Sequence, residues 1–251
     1  MQYLGGKSKI SKEISEVINE VFGREKSDCE GYSGGNRERE RERELTTFVS
    51  LFCGSCAVES KINAKQKILN DKHEYLIEMW KALQNGYVLP TIITEDDYKY
   101  VKTHKDENRA LTGFVGFGCS FGGKWFGGLA RNKKGDNYCS RAERSVLKDL
   151  VGVKDAIFSC KDYRDVVIPD GSVVYCDPPY ANTTGYTTGT FNTEEFWEYM
   201  RTISKKNKVF ISEENAPSDF ICVWQKDFTR MLDVNKENIF VKTEKLWTYN
   251  G

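Results

Sequence analysis

The run Val173-Val174-Tyr175-Cys176-Asp177-Pro178-Pro179-Tyr180 limits the fold more than any other stretch of the chain. Its four leading residues read as a short strand buried on both faces. The two prolines end that strand at once, because each lacks a backbone N–H and fixes its own φ. An acid, a rigid carbonyl and an aromatic ring are therefore presented at the carboxyl end of an interior strand. Open α/β sheets hold their ligands at that end. The set suits the gripping of a flat ring by its exocyclic amine. A Pro-Pro turn with Asp177 as an ordinary turn residue is the simpler alternative, and the rest of the chain decides between them.

Hydrophobic spacing supplies the frame. Ile10, Ile14, Val17, Ile18 and Val21 recur at helical intervals and predict an amphipathic helix from near Ser8. Strands are expected at 47–52, 67–69, 156–159, 173–176, 209–212, 222–225 and 242–249. Helices are expected from Ala57, over 74–85 with a stop at Gly86, and around 193–205. Ser140 and Glu143 have capping-box spacing for a helix that runs to about Leu150. Strands alternating with helices imply an α/β fold with a doubly wound, largely parallel sheet, its last strand free to run antiparallel. Residues 87–150 interrupt the alternation with a helical, then Gly-rich and basic, insertion.

A chain of 251 residues suits one such domain with a modest insertion. No apolar run approaches the roughly 18 residues of a membrane span, and no signal-peptide h-region is visible. Eight cysteines show no disulfide framework, and Cys160, Cys176 and Cys222 fall within apparent strands as small apolar residues. An intracellular, cytoplasmic protein is expected, with a phage or a mobile element as one possible source, and a monomer by default. Basic and acidic residues balance at 37 each, which argues against wholesale polyanion binding. Charge is nonetheless local: from Lys124 to Lys148 seven basic residues face only Asp136 and Glu143. Residues 24–44 carry an alternating Arg-Glu tract that repels itself at i,i+4 and has nothing to bury, so they read as a disordered insertion.

Two further corners carry ligand chemistry. Phe52-Cys53-Gly54-Ser55-Cys56 follows the first strand, where a small residue lets backbone N–H groups approach a ligand. Asp71 ends the next strand, at a spacing where an acid accepts hydrogen bonds from a ribose diol. The pair fits a nucleoside-containing cofactor better than a dinucleotide. Gly6-Lys7-Ser8 resembles the end of a phosphate-binding loop, but Met1 stands where its first Gly is needed. Cys53-x-x-Cys56 lacks a second pair, and the sole histidines are His73 and His104, so no metal site is expected.

Joined in order, Gly5-Gly6-Lys7, Phe-x-Gly at 52–54, Asn70-Asp71 and Asp-Pro-Pro-Tyr at 177–180 resemble the Dam-type, alpha-group DNA adenine methyltransferases. Phe121-Gly122-Gly123-Lys124-Trp125, Ser212-Glu213-Glu214 and Glu244-Lys245-Leu246 add to the likeness, which covers nearly all of the chain outside 24–44. The resemblance implies a Rossmann-like, seven-stranded-type methyltransferase sheet formed by 1–86 and 151–251, with 87–150 as a mainly helical target-recognition insertion. It implies S-adenosylmethionine as methyl donor and the N6 amine of a flipped-out adenine in double-stranded DNA as acceptor, with no metal. Carried over by position, Tyr3, Gly5, Lys7, Phe52 and Gly54 would line the methionine end of the donor. Asp71 would hold its ribose, and Asp162 and Tyr163 would border its adenine. Asp177, Pro178, Pro179 and Tyr180 would hold the target base, with Asp177 also touching the donor.

The family usually has Gly where Cys56 stands, so a side chain there is expected to crowd the donor. Lys124, Arg131, Lys133 and Lys134 are expected at phosphates, and Arg131 and Asn132 at base edges. Restriction–modification, phage modification and regulation are all settings for such an enzyme. Methylation of a cytosine amine, of RNA or of a glutamine side chain, and a catalytically inactive DNA-binding relative, are the alternatives.

Overall fold

The computed structural model describes residues 1, 3, 5–23, 47–179, 191–231 and 239–251, with backbone alone at 229–231 and 239–242. The Arg-Glu tract at 24–44 and Tyr180 lie outside the described residues. Seven strands form one sheet: β1 Thr47–Ser50, β2 Gln66–Asn70, β3 Ile157–Ser159, β4 Val173–Cys176, β5 Lys208–Ser212, β6 Phe220–Met231 and β7 Ile239–Tyr249. Their order is β3-β2-β1-β4-β5-β7-β6. The first five pair in parallel, whereas β7 runs antiparallel to both β5 and β6. The mostly parallel α/β sheet is as expected. Its strand order reverses between β1 and β4, which opens a crevice at their carboxyl ends.

Period-two alternation distributes the strands between two cores. Phe48, Val173, Tyr175 and Phe210 face one side, while Val49, Val174, Cys176, Val209 and Ile211 face the other. Both faces are covered, hence the continuous apolar runs. On the first face lie α1 Ser11–Gly23, α2 Glu74–Gln84 and α5 Tyr138–Leu150. Ile14 and Ile18 of α1, and Leu76 and Trp80 of α2, are fully or almost fully buried there. On the second face, α6 Thr193–Ser204 buries Phe196, Trp197 and Met200.

Between α2 and β3 come α3 Glu95–Thr103, α4 Arg109–Gly113 and a wide helical turn over Phe114–Gly118. Phe114, Val115 and Phe117 join the same core as α2, and so do Ala142 and Val146 of α5. Residues 87–150 thus share the sheet's core instead of building one of their own. A short hairpin follows the wide turn: Phe121 N donates to Gly128 O and Ala130 N to Cys119 O, both at 2.8 Å.

Several local expectations need correction. The capping box at Ser140 is not formed. Asn137 caps α5 instead by accepting from Ser140 N, so the helix begins at Tyr138. The helix expected from Ala57 is a single 3-10 turn, Glu59–Lys61. The last hairpin is far longer than its apolar signal, because β6 at the sheet edge and β7 beside it carry many polar residues and still pair along their length. Cys176 is buried, but Cys160 lies beyond β3 and is exposed, as is Cys222 on β6. No helix among the described residues is long and apolar enough to cross a membrane.

Gly113 joins α4 to α2 without a side chain between them. A Cβ there would stand 2.1 Å from the Tyr75 carbonyl oxygen. In an exposed helix, Gly to Ala gains about 1 kcal/mol. Here the sign should reverse. Gly113→Ala is expected to lower the unfolding free energy by about 2–3 kcal/mol, read from a urea titration, and an unchanged midpoint would contradict this packing.

Candidate active site

Strand register brings the sequence motifs to one edge. Ser50 pairs with Tyr175 on one side and Leu69 on the other, and Asn70 pairs with Ser159. The residues just beyond these pairs are Phe52 to Gly54, Asp71, Asp162 to Tyr163 and Asp177 to Pro179. Asn70 fastens this edge. Its amide donates to the carbonyls of Leu51 (3.2 Å) and Lys161 (3.0 Å), and its oxygen accepts from Ser159 Oγ (2.8 Å) and Lys161 N (3.0 Å).

Lys7 is 4% exposed, so it is not a solvated residue at a helix start. Its Nζ lies 2.7 Å from Asp177 Oδ1 and 3.7 Å from Glu244 Oε2, and it donates to the Gly5 carbonyl at 3.3 Å. A buried ammonium requires such counter-charge. Glu244 comes from β7 and is 2% exposed. Ser212 pairs with Leu246, which puts Glu244 beyond the end of β5, beside the crevice. Two carboxylates therefore meet one lysine.

A cleft of about 200 Å³ opens at this point, lined among others by Tyr3, Gly5, Lys7, Phe52, Gly54 and Asp71, and further on by Asp162, Tyr163, Asp177 and Pro179. Gly54 has φ +48°, and a Cβ on it would come within 3.1 Å of the Tyr3 ring. Asp71 fixes the turn: its two oxygens accept from Gly54 N and His73 N, each at 2.9 Å. Burial pushes its carboxyl above the ordinary range. Asp162 behaves in the opposite way. The Arg164 guanidinium at 2.7 Å holds it down at about 2, so it stays charged beside the cleft. Arg164 also pairs with Glu195 of α6. Phe52 and Tyr163 pack at 5.4 Å between ring centroids and Phe191 lies 6.1 Å from Phe52, which gives one end of the cleft an aromatic wall.

Cys56 adopts φ 55°, a left-handed conformation that suits Gly and that costs a side-chain residue about 1–2 kcal/mol. It is fully buried and does not line the cleft. The expected crowding of the donor is therefore not what this position does: its thiol is packed in the core. Cys53 and Cys56 are free thiols. Among the described residues no group of three His, Cys, Asp or Glu is placed to hold a metal.

The basic residues of the insertion do not line the cleft. Lys124, Arg131, Lys133 and Lys134 are exposed. Arg131 pairs with Glu95 of α3 at 3.0 Å. The Asn132 side chain is engaged inside its own loop, donating to Asp136 and accepting from Lys134 N and Asp136 N. That makes it a turn-former as the chain stands.

Sequence reading missed several cleft residues. His73, Phe117 and Trp125 form a wall with centroids 4.3–4.8 Å apart. Trp125 fits there because Gly116 lies beneath it, where a Cβ would strike the ring at 2.2 Å. Burial lowers His73 to about 4. Glu59 was missed as well; it is 2% exposed, and burial raises its carboxyl to about 8. Glu213, near Asp177 but not in the cleft lining, rises to about 7 for the same reason. An acid in the apolar stretch Ala57-Val58-Glu59 was the available signal. For Glu244 it was the alternation with Leu246 and Thr248.

A doubly wound sheet with a glycine turn, an acid after β2 and an Asp-Pro-Pro corner at its switch point defines an α/β protein with its cleft where open sheets of this kind hold ligands. The profile of the D12 class N6 adenine-specific DNA methyltransferases matches residues 3–115 and 130–245. This chain belongs to that family. The match leaves out 116–129, so the Phe121–Trp125 stretch is not part of it. A DNA N-6-adenine-methyltransferase of Escherichia phage P1 is 26% identical over 210 residues, which are 68% of this chain and 27% of that protein. The chain thus spans about a quarter of the length of this curated relative. Among solved structures, a conserved hypothetical protein of Streptococcus pyogenes aligns at 11% identity and TM-score 0.34, over 81% of this chain and 85% of its own. A Pyrococcus horikoshii protein provisionally described as an RNA methyltransferase aligns at 9% identity and TM-score 0.37, over 96% and 98%.

The raised carboxyl of Glu59 has a signature in stability. Unfolded, it titrates near 4.3; folded, at about 8. Between these values the folded chain binds the extra proton, so the stability linked to it is full below pH about 4 and is lost as pH rises through 8. Wild-type unfolding free energy is expected to fall more steeply from pH 5 to pH 8 than that of Glu59→Gln. Parallel slopes in urea titrations would show that this carboxyl ionises normally.

Proposed function

We propose that this chain transfers a methyl group from S-adenosylmethionine to the N6 amine of an adenine flipped out of double-stranded DNA. The observation that carries the reading is the Asp177 carboxylate, held by buried Lys7 at 2.7 Å, at the rim of a cleft on the sheet's switch point. The cleft suits the donor in three respects. The Asp177 carboxylate in its lining attracts a sulfonium cation. The Phe52–Tyr163 wall suits a purine. The turn at Gly54, kept bare by its positive φ and the Tyr3 ring, admits a ligand close to the backbone. Asp71 retains lone pairs for a ribose diol.

Bound, the donor supplies an electrophilic methyl carbon and departs as a neutral thioether. The chain's work lies on the acceptor side. An aromatic amine is a weak nucleophile because its lone pair is delocalised into the ring. The Asp177 carboxylate and the Pro178 carbonyl accept its two N–H bonds, favour a pyramidal nitrogen and direct the lone pair along the line of attack. Charge develops on that nitrogen during transfer, so fixed acceptors act most strongly in the transition state. The Pro178-Pro179 pair keeps the carbonyl rigid, and Lys7 keeps the carboxylate in place. Asp177, directly or through water, takes the released proton. The amine is inaccessible within a duplex, so the base leaves the stack. Tyr180, outside the described residues, is the ring assigned to stack on it.

The insertion is assigned to the duplex. Lys124, Lys133 and Lys134 on its exposed surface suit phosphates. Arg131 reaches DNA by exchanging Glu95 for a phosphate or a base edge. Asn132 would have to leave its loop contacts to read a base.

Two measurements test this. Asp177→Ala should lower adenine methylation by at least about 1,000-fold, read as N6-methyladenine in the product DNA, while donor binding by calorimetry persists. Near-wild-type turnover would remove the mechanism. Duplex binding should weaken steeply between about 50 and 200 mM salt, and Lys133→Ala with Lys134→Ala should reduce that slope. A salt-independent affinity would argue against this basic face.

A further inference from the structure

The cleft contains an acid for which the transfer chemistry has no use. Glu59 sits in the turn after the Phe52–Cys56 segment, 2% exposed, and it lines the cleft. Its Oε1 accepts from Ser50 Oγ at 2.8 Å, at the end of β1. The backbone N–H groups of Val58 and of Glu59 itself also favour its ionised form, no second side chain among the described residues hydrogen-bonds to it, and the residue lines the cleft.

The groups around Glu59 are acids, a hydroxyl and thiols, apart from Lys67, whose charge acts on the carboxyl without forming an ion pair with it. From the end of β4 come Asp177 and the Tyr175 hydroxyl, which is bound to Ser212. From the turn after β1 come the buried thiols Cys53 and Cys56. From β2 comes Lys67, whose Nζ lies 3.0 Å from the Glu59 carbonyl and 2.6 Å from the Gly152 carbonyl and forms no ion pair with the carboxyl. Lys7 is committed to Asp177 and Glu244. A carboxylate buried in this way is unstable without a close cation, so burial keeps Glu59 protonated near neutral pH. As a lining residue it faces a ligand that, on the reading above, carries a sulfonium and an α-ammonium.

We propose that Glu59 is the counter-charge for a cation on the methyl donor, and that donor binding releases the Glu59 proton to solvent. The step balances. The neutral acid loses one proton to buffer, and the carboxylate that remains pairs with the incoming cation. The inference rests on the donor being S-adenosylmethionine. It adds to that reading a role for a residue that neither accepts the amine's protons nor touches the transferred carbon.

Calorimetric titration of the full chain with S-adenosylmethionine, at pH 6.5 in two buffers of different protonation enthalpy, tests it. Wild type should release roughly one proton per donor bound, and its affinity should tighten roughly 20-fold from pH 6 to pH 7.5. The window stops there because the donor's own α-amino group titrates near 8. Glu59→Gln, shown to be folded by a thermal melt, should release almost none and bind with pH-independent affinity. Glu213→Gln should retain the wild-type release, since Glu213 does not line the cleft.

Should Glu59→Gln fail to fold, Ser50→Ala replaces it. Loss of the hydroxyl that favours the ionised acid should move the rise in affinity to higher pH. S-adenosylhomocysteine keeps the ammonium but lacks the sulfonium, so release with it assigns the ammonium as partner, and no release assigns the sulfonium. Release that persists in Glu59→Gln, that vanishes in Glu213→Gln, or that is absent from a wild type which binds the donor overturns the inference alone. A wild type that binds no donor overturns the functional reading instead.

Discussion

One buried ammonium organises the site. Lys7 lies near the start of the chain, Asp177 past its middle and Glu244 near its end, yet the three meet within 4 Å. Burying a charged lysine is costly, and one carboxylate would barely offset that cost. Two carboxylates from different strands do so, and they hold all three segments in one arrangement. A solvent-exposed pair would contribute little and leave Asp177 free among its rotamers. Buried, the same pair fixes the carboxylate's direction, and that direction is what the proposed chemistry requires. The long β6–β7 hairpin has its reason here: inserting β7 antiparallel beside β5 delivers Glu244 to the carboxyl edge, which a parallel strand in that register would not do.

The edge itself is stitched by polar side chains. Asn70 bridges the segments after β1 and β3, and Asp71 receives the backbone N–H groups of Gly54 and His73. Backbone groups at strand ends have no ladder partner, and leaving them buried and unpaired would cost roughly 1–3 kcal/mol each. Asn70 and Asp71 satisfy these groups and in so doing place the ligand-facing turns at fixed separation. The same residues are thus structural and positional, and a substitution at either would disturb both.

Much of this was legible in the sequence, for identifiable reasons. The apolar tetrad before Asp177 and the alternation of strands with helices gave the sheet, because a strand covered on both faces has few other forms. The local motifs at Lys7, Gly54, Asp71 and Asp177 sat where a switch-point cleft needs them. What could not be read was anything that depends on packing across elements. Asn137 in place of Ser140 as the cap of α5 turns on where the preceding loop ends. The length of β6 and β7 is fixed by hairpin pairing, which polar residues allow. The cleft walls from His73, Phe117 and Trp125 arise because the insertion folds back on the sheet's core, and no period or motif encodes that return. Glu59 was passed over because an acid beside an apolar turn ordinarily points to solvent; only the third dimension shows Ser50 above it and the cleft in front.

The insertion's placement joins its exposed basic surface to the cleft mechanically. A separate recognition domain on a flexible tether could bind DNA with no effect on the donor cleft. Here Phe114, Val115 and Phe117 are core residues packed with α2, and Trp125 closes the cleft from a hairpin that the family profile leaves unmatched. Trp125 stacks on Tyr75 of α2 and contacts His73 and Phe117, so the hairpin cannot shift without moving the wall of the cleft. The exposed lysines stand on the same continuous body. Close-packed interiors transmit small displacements instead of absorbing them. On the proposed function, contact made with a duplex at the hairpin or the 131–134 loop would be felt at the cleft through these packed rings.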